Sequence, residues 1–319
     1  MKGKNILVFG GSGQIGRHLI RRLTKNNHMV TAVTRNLHQK GYVLKTQGNP
    51  GYLDVIEENI FNEEKLNYLL KNKDICINLI GILHENRNNT FQNIHVNFPS
   101  IISNICKQNN IEQFIHVSAL GIDNAKDSKY ARSKLEGEKE IKSNFFKTTI
   151  LRPSIVYSVD DNFTTQFMTL LNRLPFFPLY YKGETKFTPI HCSELAEIIL
   201  QIINKNICSE IIECVGSQEM TFNEILQKLL KLIDKKKLLI PIPLTIAKIM
   251  AMFFQLLPKP LLTLDQLKLL KYDSVLSGNY KSNLDIGYNC KLKFEKEVEK
   301  YCYMWKDAGQ YSKRDSNLN

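Results

Sequence analysis

No apolar run in this chain reaches the roughly 20 residues that a membrane-spanning helix needs. The longest, Leu244–Leu257, lies between proline-bearing flanks and is broken by Lys248 and Gln255. A transmembrane span is therefore not expected, and 244–257 reads either as a buried helix or as one that docks on a partner or a membrane surface. A signal peptide is not expected either, because the first β-prone run starts at Asn5 and belongs to the fold. The seven cysteines include no C-x-x-C pair and are odd in number, and Cys76, Cys192 and Cys214 sit in apolar runs. That pattern argues against a disulfide framework and a metal site, and for buried thiols in a reducing compartment. Internal repeats are absent. Acidic residues are in deficit, 31 against 43 basic ones, for a formal charge of +12. Such an excess suits an acidic partner, an anionic membrane surface or nucleic acid. It is mostly lysine in a chain also rich in Ile and Asn, a bias that background composition alone can produce. No aromatic-plus-basic stripe accompanies it, so nucleic acid is not an expected partner.

What is present begins at once. Asn5–Phe9 is an apolar, β-prone run that stops at Gly10-Gly11-Ser12-Gly13-Gln14-Ile15-Gly16. Arg17 to Lys25 then carries Leu19, Ile20 and Leu23 at helical spacing. A buried strand, a glycine turn and a helix form the opening of a dinucleotide-binding sheet. Gly10 permits the tight turn, Gly13 lets the backbone approach a pyrophosphate, and Gly16 lets the helix pack on the strand. The open N–H groups and the dipole of the helix start favour phosphate charge.

Further strands are expected at 29–34, within 52–60, and at 75–80, 113–117 and 148–151. Helices are expected at 63–70, 91–109 and 129–142. This alternation predicts an α/β fold: a Rossmann-type, doubly wound parallel sheet with a smaller, mainly helical C-terminal lobe. The divisions expected are residues 1–155 for the dinucleotide domain, 156–308 for a proline-marked lobe interleaved with the sheet, and 309–319 for a polar tail.

Tyr130 and Lys134 stand four apart on the 129–142 helix, hence on one face. A lysine so placed can lower the pKa of a phenol. A useful base near pH 7 needs a shift of about three units from 10, roughly 4 kcal/mol. Ser118 ends the fifth strand, placed to hydrogen-bond a substrate carbonyl or hydroxyl. The same spacing also suits an amphipathic helix with a snorkelling lysine. The glycine turn and the strand-end serine favour the chemical reading.

Gly10-x-x-Gly13-x-x-Gly16, Asn78-Leu79-Ile80-Gly81, Ser118 and Tyr130-x-x-x-Lys134 together resemble the short-chain dehydrogenase/reductase superfamily. Leu151-Arg152-Pro153-Ser154-Ile155-Val156-Tyr157 resembles its extended, epimerase-like branch. More narrowly, His116–Gly121, Tyr130–Glu138, Leu239–Pro243, Leu256-Leu257-Pro258 and Leu264–Leu267 resemble the nucleotide-binding accessory subunit of respiratory complex I and its bacterial relatives. The resemblance implies a tightly held NADPH that supports structure or assembly, with complex I subunits as partners. It also implies a cytoplasmic location, peripheral on the inner face of the respiratory membrane. The cofactor set it implies is Gly10, Ser12, Gly13, Gln14, Ile15, Gly16, Arg17, Arg35, Asn59, Ile60, Ile80, Gly81, Tyr130, Lys134 and Pro153. The catalytic set it implies is Ser118, Tyr130 and Lys134.

Thr34-Arg35-Asn36 offers a cation where NAD binders usually place an acid, so NADP(H) is expected over NAD(H). Asn59 stands where many relatives carry an adenine-contacting Asp. Ser158 replaces a glycine of the epimerase branch, and His191-Cys192-Ser193-Glu194 lacks its Val-Asp-Asp run. Three functions remain open on these residues: a complex I accessory or assembly protein, an NAD(P)-dependent reductase, dehydrogenase or epimerase, and an NADPH sensor.

Overall fold

The computed structural model describes residues 3–257, 260–307 and 309. The chain forms two compact units. One comprises the chain up to Pro153 with Cys192–Cys214 and Leu276–Tyr288; the other comprises Ser154–His191, Val215–Val275 and the chain from Asn289. The first unit thus ends at Pro153 and takes two segments, Cys192–Cys214 and Leu276–Tyr288, from the stretch expected as a lobe interleaved with the sheet. Pro258 and the tail from 310 lie outside the described residues.

The first unit is built on one eight-stranded sheet. Its strands are β1 (Asn5–Phe9), β2 (Met29–Thr34), β3 (Leu53–Glu57), β4 (Ile75–Asn78), β5 (Gln113–Val117), β6 (Thr148–Pro153), β7 (Glu210–Cys214) and β8 (Lys281–Ser282). They lie in the order 8-7-6-5-4-1-2-3, and every pairing is parallel. Parallel strands covered on both faces read as continuous apolar runs, and Ile6, Leu7, Val8 and Phe9 are fully buried. The order reverses between β1 and β4. The strand ends beside that switch point form the crevice where such sheets bind ligands.

Helix α1 (Gln14–Lys25) starts three residues before the expected Arg17, directly on Gly13. It buries Gly16, Leu19, Ile20 and Leu23, the stripe its spacing announced. Helix α2 (Leu37–Lys45), not anticipated from the sequence, is capped by Asn36, whose side chain accepts from Gln39 N–H at 2.9 Å. Helix α3 (Glu63–Leu70) matches its expected span.

The helix expected over 91–109 divides into a π-helical stretch, Gln92–Asn97, and α4 (Phe98–Gln108). Pro99 explains the division, since it has no N–H to give the His95 carbonyl four residues back. Helix α5 (Lys129–Asn144) is capped by Ser128, and α6 (Cys192–Asn204) packs on α1.

The second unit packs helices Thr164–Arg173, Phe222–Leu232, Leu244–Phe254, Leu264–Leu269 and Phe294–Glu299 around short strands. Phe163, Phe167 and Tyr180 belong to its core, with Phe163 and Phe167 at 4.9 Å and Phe167 and Phe222 at 5.2 Å between ring centroids. Among the described residues, no helix is long and apolar enough to cross a membrane. Six of the seven cysteines are buried.

Candidate dinucleotide site

The glycine turn joins β1 to α1 at the sheet's switch point. Gly10 has φ +78°, and a Cβ there would stand 3.1 Å from the Leu79 carbonyl carbon and 3.2 Å from Ile80 N. The left-handed backbone and the close approach of the chain after β4 both require glycine. Gly13 N–H donates to the Gly10 carbonyl at 3.0 Å and closes the turn. A Cβ on Gly16 would lie 2.5 Å from both the Gly10 oxygen and the Gly11 Cα, so α1 sits directly on the turn. Gly13 is exposed, Ser12, Gln14, Ile15 and Arg17 are half-buried, and the first turn of α1 holds no acid. That leaves the positive helix end uncompensated by the helix's own side chains.

Beyond β2, Arg35 is exposed and its Nη1 donates to Asn89 Oδ1 at 3.3 Å. Glu57, at the end of β3, accepts the Leu37 N–H at 2.7 Å. A carboxylate therefore also stands at this corner, a residue the sequence reading passed over. Asn59 is exposed and its Oδ1 accepts the Phe61 N–H at 3.1 Å. Ile60 is buried in the core, and Ile80 packs against it. Pro153 ends β6, its carbonyl accepting from Leu120 N–H at 2.9 Å.

Ser118 follows β5, and its buried Oγ has no hydrogen-bond partner among the described residues. Lys134 is buried, and its Nζ donates to the Val117 carbonyl at 3.1 Å. A Cβ on Gly81 would come within 3.3 Å of that Nζ, so the chain after β4, the end of β5 and helix α5 converge there.

Burial lowers the Lys134 ammonium to about 8. Burial raises the half-buried Tyr130 phenol to about 12. Desolvation of the phenol dominates, while the ammonium is engaged by the Val117 carbonyl.

Three polar residues have roles here that the sequence did not assign, although Asn78 and His116 stand within its motifs. His95, in the π-helical stretch, accepts the Ile82 N–H on Nε2 at 3.2 Å. Its proton therefore sits on Nδ1, which donates to Ser133 Oγ at 2.9 Å, and that hydroxyl donates to the Tyr130 carbonyl at 2.8 Å. The ring stacks on Phe91 at 5.2 Å and meets the edge of Tyr130 at 5.3 Å. Burial, then the Lys134 charge, lowers His95 to about 2, which keeps it neutral. His116 on β5 is also held well below its usual value by burial. Its Nδ1 accepts from Asn78 Nδ2 at 3.1 Å, while Asn78 Oδ1 accepts the Ile80 N–H at 3.0 Å. The available signal was a polar residue interrupting an apolar strand or helix stripe at 78, 95 and 116.

Two further contacts fix α5. A Cβ on Gly137 would meet the His95 carbonyl oxygen at 1.8 Å, so only glycine lets α5 lie against the π-helical stretch. Arg152 on β6 donates to Glu138 at 2.9 and 2.6 Å and pairs with Asp123, with the Tyr280 ring 4.6 Å away.

A parallel sheet with a glycine turn at its switch point, flanked by a Tyr–Lys helix and a buried strand-end hydroxyl without a partner, fits a dinucleotide. It defines a Rossmann-type nucleotide-binding protein. The pattern of an NAD(P)H-binding family matches residues 10–205, and the chain belongs to that family. It is similar to the mitochondrial NADH-ubiquinone oxidoreductase 40 kDa subunit of Neurospora crassa, with 26% identity over 287 residues, 89% of this chain and 75% of that one. It is also similar to the mitochondrial NADH dehydrogenase [ubiquinone] 1 alpha subcomplex subunit 9 of Dictyostelium discoideum, with 30% identity over 224 residues, 70% of this chain and 62% of that one. Among solved structures, the UDP-glucuronic acid 4-epimerase of Bacillus cereus, in complex with UDP-glucuronic acid and NAD, superposes with a TM-score of 0.71. It shares 19% identity over 94% of this chain and 99% of that one, a likeness of fold alone.

Proposed function

We propose that this chain binds NADP(H) and serves as an accessory or assembly subunit of respiratory complex I, outside its electron-transfer chain and peripheral on the inner face of the respiratory membrane. The observation that carries the reading is a complete glycine turn at the switch point of the sheet, where a Cβ at Gly10 or Gly16 would strike neighbouring backbone. The likeness to complex I subunits of two organisms supports the partner.

Arg35 supports NADP(H) over NAD(H). A guanidinium pairs with a 2′-phosphate, and a charge-assisted hydrogen bond is worth about 1.5–3 kcal/mol. In this reading Gly10, Ser12, Gly13, Gln14, Ile15 and Gly16 hold the pyrophosphate, and Arg17 and Arg35 the 2′-phosphate. Asn59 and Ile60 meet the adenine, and Ile80, Gly81, Tyr130, Lys134 and Pro153 meet the nicotinamide half. When bound, the nicotinamide supplies hydride chemistry.

The second reading is an NAD(P)-dependent oxidoreductase or epimerase. One observation favours it: the unpartnered buried hydroxyl of Ser118. Ser118 would then orient substrate, Tyr130 would act as acid or base, and Lys134 would bind the ribose and stabilise the phenolate.

Gentle purification, denaturation and identification of the released nucleotide tests the choice. The expected result is NADPH that neither exchanges with added NADP nor is oxidised by quinones or carbonyls. A freely exchanging cofactor that turns over would overturn the first reading in favour of the second.

A further inference from the structure

The helix Leu244–Phe254 is built inside out. Its buried face consists of small residues, Ala247 and Ala251, at 1% and 0% exposure. Phe254 packs on the core, but most of the helix's large apolar residues look outward: Leu244, Ile246, Ile249, Met252 and Phe253 are exposed, Phe253 at 67%, and Leu256 beyond the helix reaches 78%. Leu238 and Ile240 are exposed on the strand just before it, which pairs in parallel with Phe176–Leu179. Exposed apolar side chains in such number on one segment mark a docking surface rather than ordinary surface scatter.

The charge of the same segment says what docks. Residues 235–264 contain five lysines and no acid. Among the described residues, Lys236, Lys237 and Lys248 have no acidic partner. Lys231, Lys235, Lys236 and Lys237 line an open depression of about 440 Å³ beside Leu238. A second copy of this chain would bring lysine against lysine. Apolar side chains flanked by unpaired lysines match an anionic bilayer surface, where the apolar groups enter the acyl boundary and the ammonium groups stay among phosphates. The helix is 11 residues long, which suits lying in the interface and not crossing it.

We propose that the face formed by Leu238, Ile240, the outward side of helix Leu244–Phe254 and Leu256, with Lys236, Lys237 and Lys248, docks on anionic phospholipid. This deepens the peripheral placement proposed above and rests on it for its biological setting. The test needs no complex I, so either idea can fail alone.

The purified protein is sedimented with phosphatidylcholine vesicles with and without phosphatidylglycerol. Binding is expected to the mixed vesicles and to weaken with salt. Ile249→Glu combined with Phe253→Glu is expected to weaken it at least ~10-fold. Lys236→Glu and Lys237→Glu are expected to weaken it by more than ~5-fold each. These positions are exposed or half-exposed, and an unchanged melting temperature shows that a variant is folded. Equal binding to neutral and anionic vesicles would overturn the proposal, as would no binding to either. A dimer that Phe253→Glu breaks, without vesicle binding, would assign the face to a second copy instead.

Discussion

Replacing Arg152 with Met tests how α5, the helix that carries Tyr130 and Lys134, is held to the sheet. The methionine keeps an apolar stem in the buried slot and removes both hydrogen bonds to Glu138, whose side chain is only 4% exposed. Leaving one member of a buried pair uncompensated costs about 3–5 kcal/mol. A stranded carboxylate escapes by taking up a proton. Holding that proton at pH 7 on a carboxyl of ordinary value 4.3 costs about 3.7 kcal/mol, at 1.36 kcal/mol per unit over about 2.7 units. That sets the ceiling at pH 7, and at pH 5 it falls to about 1 kcal/mol. The sign follows from proton counting: the folded variant holds more protons than its unfolded chain, so its stability falls relative to wild type as pH rises. Asp123, the other partner, is 42% exposed and keeps its water. Urea unfolding followed by circular dichroism at pH 5, 6 and 7 is expected to show a loss that grows by up to about 1.4 kcal/mol per unit. Adding Glu138→Gln is expected to recover most of the loss and to flatten its pH dependence. A loss below about 1 kcal/mol at pH 7, or one that pH does not change, would refute the reasoning.

Buried His95 and His116 are neutral in the fold and take up protons only when released. Stability is therefore full above about pH 6.5 and falls as pH drops below it, by up to about 1.4 kcal/mol per unit for each histidine; melting of wild type and His95→Gln from pH 7.5 to 5 is expected to show the shallower slope in the variant. Gly137→Ala gains up to about 1 kcal/mol of helix propensity, but its methyl would stand 1.8 Å from the His95 carbonyl. The expected net result is a lower melting temperature and loss of bound NADPH, and an unchanged melt with full cofactor content would contradict the packing described. Arg35→Ala is expected to weaken NADPH about 10- to 100-fold while leaving NADH nearly unchanged, read by calorimetric titration; equal losses would remove Arg35 from the 2′-phosphate site.

What was legible in the sequence was what depends on neighbours in the chain. Asn5–Phe9, the glycine turn and α1 follow one another, and each announces itself by run, turn or period. Tyr130 and Lys134 were readable as a pair because α5 puts them one turn apart. The buried network was not. Asn78, His95 and His116 interrupt apolar stripes, and their partners lie dozens of residues away on other elements. The π-helical stretch had one local cue, Pro99, but the apolar period runs straight through it. The interleaving of the later lobe with the sheet was expected, but which segments return was not, because the pairing of Glu210–Cys214 and Lys281–Ser282 is long-range and the latter strand is only two residues long. Leu244–Phe254 is apolar nearly all round, so its period does not say which face looks out. Only the packing of Ala247 and Ala251 decides that.

The most direct test of the central claim separates holding a dinucleotide from acting on it. Cells lacking this chain are complemented with wild type, Tyr130→Phe or Gly13→Val, and complex I is followed on native gels. The account predicts assembled complex I with wild type and with Tyr130→Phe, and failed assembly with Gly13→Val and without the chain. Normal assembly without the chain, or failure with a folded, NADPH-loaded Tyr130→Phe variant, would contradict it.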